Sequence, residues 1–244
     1  MKTGAIRIGT SGYTYDHWTG AFYPGDLPQD RWLSHYAKHF ETVEINNTFY
    51  QLPDPHTFDN WAASAPNGFV YAVKASRYLT HMKKLKDPEE PWSAFWKGAR
   101  RLGDALGPVL VQLPPHWRCN PDRLDAFLSI LPDAARVAVE FRDASWHCDT
   151  IYDLLADSRH ALCVHDMAEA EAPRRAVGAF AYCRFHGSAG AYKGRYGKQR
   201  LRPWARWLRC EAEEEGRDVY AYFNNDQKAY AVQDAFALRE LIDP

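Results

Sequence analysis

Eight short apolar strands alternating with seven or eight helical segments along 244 residues predict a single-domain (β/α)8 TIM barrel of somewhat irregular repeats. Three observations carry that prediction. Strands that alternate with helices must pair in parallel through crossover connections. The strands recur at a spacing of roughly 20 to 40 residues, and eight such units fill about 250 residues, the size of a barrel. Nearly every strand starts apolar and turns polar at its last one or two positions, which is the rim where barrels carry chemistry. No GxGxxG opens a first helix, so an open doubly wound sheet is disfavoured. No composition break or linker divides the chain, and 1–244 is read as one domain.

The elements follow in order. Ile6-Arg-Ile-Gly9 is the first strand, and Thr10-Ser-Gly-Tyr13 turns the chain with polar side chains. A helix containing Trp32, Leu33, Tyr36 and Phe40 comes next, with Asp30 or Ser34 as its starting cap. The second strand, Thr42-Val-Glu-Ile45, carries Glu44, and Asn46 two positions on shares its face. A sheet covered on both sides has no place for an unpartnered carboxylate. Pro53 and Pro55 lead into a helix through Phe58 and Trp61, which Pro66 and Gly68 stop. Residues 69–74 form the third strand, followed by a long polar loop with Arg77, Tyr78, Thr80 and His81. Pro91 opens a helix that Gly107-Pro108 ends, and 109–113 is the fourth strand. A helix over 121–131, a strand over 136–142, a helix over 150–155 and a strand over 161–166 follow. A connection rich in Ala, Glu and Arg reaches the seventh strand at 179–185. A long loop, a helix over 204–215, the eighth strand at 218–224 and a helix over 229–241 complete the chain.

Composition narrows the function. Apolar residues make up 46% and aromatics 14%, enough for a large core. A net charge of -1 argues against wholesale binding to nucleic acid or membrane. The five cysteines are odd in number and never form a CxxC, which reads as reduced thiols in a cytoplasmic protein. The amino terminus has a charge inside its apolar run and does not read as a signal peptide. No apolar stretch approaches the roughly 20 residues that span a bilayer.

The strand ends supply the candidate site. They are Thr10, Ser11 and Tyr13; Glu44 and Asn46; Lys74; Gln112; Glu140 and Arg142; His165 and Asp166; Arg184 and His186; and Asn224, Asn225 and Asp226. The pairs two apart in the second, fifth and seventh strands are expected to face the lumen together. The structural alternative is a layer of satisfied ion pairs, such as Glu140 with Lys74 or Glu44 with Arg184, that orients the barrel and does no chemistry. Burying so many charges costs several kcal/mol each unless they are paired or hydrated, and a pocket for a polar ligand accounts for them. The histidines off the strand ends, among them His17 and His160, are expected on the surface or on helices.

These residues sit in recognisable local motifs. Gly9-Thr-Ser-Gly-Tyr-Thr-Tyr-Asp-His-Trp-Thr-Gly-Ala-Phe-Tyr-Pro24 resembles the opening signature of the YecE-like family, a domain of unknown function (domain of unknown function 72). Val43-Glu-Ile-Asn-Asn-Thr-Phe-Tyr-Gln-Leu-Pro53, Pro66-Asn-Gly-Phe69, Ala72-Val-Lys-Ala-Ser-Arg-Tyr-Leu-Thr-His81 and Val111-Gln-Leu-Pro-Pro115 continue the series. Val139-Glu-Phe-Arg-Asp-Ala-Ser-Trp146, Tyr182-Cys-Arg-Phe-His-Gly187 and Ala221-Tyr-Phe-Asn-Asn-Asp226 complete it. The resemblance implies a TIM barrel and no particular activity. Its recurrent polar residues fall here on Glu44, Asn46, Lys74, His81, Gln112, Glu140, Arg142, Arg184, His186, Asn224, Asn225 and Asp226. Tyr13 stands where a Trp is common, and the His165-Asp166 pair is not part of the signature.

Three chemistries are compatible with the ring. The first is acid/base catalysis on a small polar, anionic molecule. Glu44, Lys74, Glu140, His186 and Asp226 are its catalytic candidates, with Glu44 or Glu140 as base and Lys74 or His186 as proton donor. Tyr13, Asn46, His81, Gln112, Arg142, Arg184, Asn224 and Asn225 would bind substrate, the arginines gripping a carboxylate or phosphate. Between 188 and 210 there are seven basic residues and no acidic one, on a Gly-rich loop where barrels often hold phosphate. No motif implies a cofactor. The second chemistry places a divalent metal among Glu44, Glu140, His165, Asp166, His186 and Asp226, although no HxH, HExxH or CxxC spacing accompanies them. The third is nucleic-acid binding by the basic run with Tyr192, Tyr196 and Trp204.

Overall fold

The computed structural model describes residues 3–167, 172–190 and 192–243. Among the described residues eight strands are present: β1 Ile6–Thr10, β2 Thr42–Ile45, β3 Val70–Lys74, β4 Leu106–Gln112, β5 Val137–Glu140, β6 Ala161–His165, β7 Ala181–Phe185 and β8 Val219–Phe223. Every neighbouring pair is parallel, in the order β1-β8-β7-β6-β5-β4-β3-β2. The ring is nearly closed at a short seam between β1 and β2. There Ser11 bridges Glu44, and the Gly12 N–H donates to the Glu44 carbonyl at 2.7 Å. A glycine is needed at position 9, because a Cβ would lie 2.2 Å from the Thr42 carbonyl oxygen.

Helices cover the outside: α1 Trp32–Tyr36, α2 Asn47–Tyr50, α3 Pro55–Ser64, α4 Glu89–Ala99, α5 Pro121–Ser129, α6 Asp149–Ala156, α7 Gly197–Glu213 and α8 Tyr230–Ile242. The larger apolar core lies between strands and helices. A second cluster fills the lumen, with Ala72, Ala138 and Ala161 facing the bulkier Phe180, Tyr182, Tyr220 and Tyr222. Small and large side chains thus fill the ring together. Moving two residues toward the C-terminal end from Ala72, Leu110, Ala138 and Tyr182 reaches Lys74, Gln112, Glu140 and Arg184. The strand period of two therefore sets a polar layer directly on an apolar one.

The structure departs from the sequence expectations at several points. Gly107-Pro108 lies inside β4 and does not end a helix. The register passes from Tyr71↔Leu106 to Val73↔Val109, so β4 has one extra residue there, and a bulge is where a strand tolerates the missing proline donor. Tyr78–Met82 is a wide π-helical turn and not an extended loop. Neither Asp30 nor Ser34 caps α1. Helix α7 starts at Gly197, seven residues before the expected Trp204, because Asp234 on α8 accepts the N–H groups of Tyr196 (3.0 Å) and Gly197 (3.2 Å). Most of the basic run expected as a flexible loop is therefore helix. His160 is buried, with its Nδ1 accepting the Val137 N–H at 3.3 Å. Residues 168–171 of the charged connection before β7, and Ala191 in the loop after it, lie outside the described residues.

Candidate active site at the mouth of the barrel

Arg184 on β7 is the hub of the polar layer. Its Nε and Nη2 donate to Glu44 Oε1 at 3.1 and 2.9 Å, and its Nη1 donates to Glu140 Oε2 at 2.8 Å. One guanidinium thus ties β7 to β2 and β5, its planar fork matching two carboxylates. Ser11 Oγ (2.6 Å) and Asn46 Nδ2 (3.2 Å) also donate to Glu44 Oε1, and the Tyr182 hydroxyl donates to Oε2 at 2.7 Å. Arg142 pairs with Glu140 Oε1. Two buried carboxylates are therefore balanced by two guanidinia, which offsets the cost of removing them from water.

Burial alone would raise both glutamates. Against it, Arg184 and the Ser11 and Tyr182 hydrogen bonds hold Glu44 below the usual carboxylate range. Arg142 and Arg184, with His165 and His186, hold Glu140 well below it. Both are ionised and their oxygens are already engaged, which leaves little capacity to take a substrate proton. His186 Nε2 accepts from Arg142 Nη2 (3.0 Å) and Arg184 Nη1 (3.2 Å), which puts its proton on Nδ1. Burial, against the pull of Asp166, pushes this imidazole down to about 4, so it is neutral. His165 Nε2 donates to the Phe141 carbonyl at 2.8 Å, and burial lowers it as well.

Lys74 is different. Among the described residues its Nζ has one hydrogen bond, to Gln112 Oε1 at 2.8 Å, and stands 4.0 Å from the centre of the Phe49 ring. Burial first, and then the charge of Arg184, push the amine down to about 7, while Glu140 and Glu44 pull the other way. An amine so placed exchanges between ammonium and free base near neutral pH. His81 packs edge-on against the same Phe49 ring, and burial and Lys74 push it down to about 4.

The structure thus brings together Glu44, Asn46, Lys74, Gln112, Glu140, Arg142, Arg184 and His186, with His81 at the edge. Asn224 follows β8 on the face of Tyr220 and Tyr222, half-buried. Three candidates lie elsewhere. Tyr13 packs outside the lumen, 6.0 Å from the Tyr36 ring, and its carbonyl accepts the Tyr23 hydroxyl. Asn225 is buried, donating to Gly194 and Asp234, and pins the loop after β7 to α8. Asp226 sits beside the turn before α1, 3.3 Å from His17, and its carbonyl accepts from Trp18 Nε1. Sequence reasoning passed over Tyr182 and under-used Ser11, both of which hold Glu44. Tyr182 reads as a core aromatic, but its place two residues before Arg184 puts it on the same face. Among the described residues no three His, Cys, Asp or Glu side chains converge to hold a metal ion, and no helix is long and apolar enough to cross a membrane.

Comparison with known proteins agrees with this architecture. The family model described as "Protein of unknown function DUF72" matches residues 7–244. The chain belongs to the DUF72 family. It is 26% identical to the UPF0759 protein YunF of Bacillus subtilis (strain 168), covering 98% of this chain and 95% of that one. It is 30% identical to the UPF0759 protein YecE of Escherichia coli (strain K12) over 45% of this chain and 41% of that one. A solved DUF72 family protein of Thermotoga maritima MSB8 superposes with a TM-score of 0.87 at 26% identity, covering 98% of this chain and 100% of the other. The family and barrel expected from the DUF72 motifs are both confirmed.

Proposed function

We propose that this DUF72 protein is an enzyme that performs acid/base chemistry on a small, polar, anionic substrate, with Lys74 as the proton-transfer group. The observation that carries the reading is Lys74 itself: a nearly buried amine at a strand end, hydrogen-bonded among the described residues to Gln112 alone and poised to gain or lose a proton near pH 7. Proton transfer is most efficient when the group's pKa lies near the working pH. Glu44, Glu140, Arg142 and Arg184 are then the fixed charges that position and tune the amine, and Gln112 aims it. The base role expected of the glutamates passes to Lys74, because their oxygens are engaged by arginine. With the two ion pairs balanced, a protonated Lys74 gives the layer a net positive charge, which favours an anion. A bound anion in turn stabilises the ammonium.

The test is a thermal-shift panel of inorganic phosphate and simple carboxylates on the wild type and on Lys74→Met. Anions that raise the melting temperature of the wild type and not of the variant uphold the reading. Stabilisation of both proteins alike, or by no anion, overturns it. The divalent-metal alternative finds no supporting geometry among the described residues. The nucleic-acid alternative has one specific observation behind it: Arg202, Arg206 and Arg209 line a surface cavity of about 430 Å³ on α7. Steeply salt-dependent oligonucleotide binding, lost in Arg202→Ala/Arg206→Ala, is its test.

A further inference from the structure

The loops after β2 and β3 carry a feature that acid/base chemistry does not need. Tyr50 (79% exposed), Leu52 (38%), Tyr78 (51%) and Met82 (70%) are four of the five exposed large apolar side chains among the described residues. Such residues are unremarkable when scattered, but a cluster in one place marks a binding surface. Phe49, Tyr50, Leu52, Tyr78 and Pro91 line a groove of about 270 Å³, with Glu90 at its edge. Phe49 belongs to both places: its ring lines the groove and lies 4.0 Å from Lys74 Nζ. Groove and amine thus share the Phe49 ring as a neighbour.

The backbone here is also unusual. Tyr78 is presented by a π-helical turn, a form concentrated at functional sites. Just beyond it Lys84, Leu85 and Asp87 all have positive φ (48°, 58° and 42°), and Leu85 is buried as the plug that holds the loop. Three non-glycine residues in that region within four positions cost free energy, and the burial of Leu85 at the base of the loop holds them there.

We propose that this groove takes the planar, apolar end of the substrate, whose anionic end reaches Lys74. The inference rests on Lys74 as the reacting group and adds a substrate class, an organic anion bearing an aromatic or similarly flat apolar body. Orientation follows from charge: Glu90 repels an anionic head from the groove, whereas the protonated amine attracts it. Tyr50 and Tyr78 present faces and edges on which a flat ring can pack.

The experiment compares phenyl phosphate with inorganic phosphate, and phenylacetate with acetate, by calorimetric titration of the wild type, Tyr50→Ala, Tyr78→Ala and Lys74→Met. The aryl compound should bind about fivefold more tightly than its headgroup in the wild type. That ratio, measured within each variant, should fall toward one in Tyr50→Ala and Tyr78→Ala. Both tyrosines are exposed, so the variants keep the fold. Equal affinities for aryl and headgroup compounds in the wild type overturn the groove and leave the Lys74 reading standing; the exposed rings would then be a surface for a macromolecule. A ratio that survives both tyrosine variants also overturns it, since the ring then binds elsewhere. Phosphate affinity unchanged in Lys74→Met overturns instead the reading of the amine, and with it the placement of the anionic end.

Discussion

Lys74→Met tests the central residue through stability alone, without knowing the substrate. In the unfolded chain the amine titrates at an ordinary 10.5, and in the barrel at about 7. Below pH 7 both states are protonated, and the folded state bears the full cost of a buried ammonium, about 5 kcal/mol at 1.36 kcal/mol per pH unit. Between pH 7 and 10.5 the unfolded chain binds more protons, so that cost shrinks as pH rises. It is about 4 kcal/mol at pH 7, about 2 at pH 9, and gone above 10.5. Methionine keeps the length and apolar contacts of the stem but loses the Gln112 hydrogen bond, about 1 kcal/mol at every pH. The variant should therefore be more stable than the wild type at neutral pH, by about 3 kcal/mol, and its advantage should fall by about 2 kcal/mol between pH 7 and 9. For a domain of this length that fall is a convergence of melting temperatures by about 4–8 °C. Urea unfolding at half-unit pH intervals reads it directly. Wild-type and variant stability curves that run parallel from pH 7 to 9 refute the argument, because Lys74 would then titrate where an exposed lysine does.

Four further outcomes are expected. Glu44→Gln leaves Arg184 with one carboxylate, so chemical unfolding should show a loss of about 3–5 kcal/mol, partly recovered in Glu44→Gln/Arg184→Met; a neutral single variant would contradict the buried network. Burial pushes His160 down to about 4, so the unfolded imidazole takes up a proton as pH falls below 6.5 while the folded one refuses it. Stability is therefore lost toward acid, and His160→Asn, which keeps an acceptor for the Val137 N–H, should reduce the drop between pH 7 and 5 by about 2 kcal/mol in urea titrations. Gly9→Ala drives a methyl against the Thr42 carbonyl and should cost about 1–3 kcal/mol of thermal stability, with hydrogen exchange rising at the β1–β2 seam. Asp234→Ala removes the remote cap of α7 and should cost about 1–2 kcal/mol, read as earlier loss of protection at Tyr196 and Gly197.

The barrel and the core of the site were legible because both depend on short-range periodicity. An apolar run that ends in polar residues two apart fixes strand, face and rim together, and Glu44, Glu140 and Arg184 all obey it, while Lys74 closes its apolar strand alone. The pattern held for Asn46, Arg142 and His186, one or two residues past their strands, and lost its force at the third. Tyr13 and Asp226 lie beyond the last paired residues of β1 and β8, where alternation no longer sets direction, and both turned away from the lumen. The start of α7 was hidden for another reason. Its cap is Asp234, thirty-seven residues on from Gly197, and no local propensity records a contact at that distance. The engagement of both glutamates by one arginine was equally illegible, because it depends on which oxygens a guanidinium reaches across the lumen.

The tie that Arg184 makes across the ring also bears on how the barrel can assemble. Cut between β4 and β5, the chain yields one half carrying Glu44 and Lys74 and another carrying Glu140, Arg142 and Arg184. Neither half can build the layer by itself: in the first the carboxylate lacks its guanidinium, and in the second one guanidinium lacks a carboxylate. A half-barrel intermediate would have to leave these groups wet, and so could not close its lumen. Folding should accordingly run as one cooperative transition, and the two fragments, expressed separately, should gain structure only when mixed.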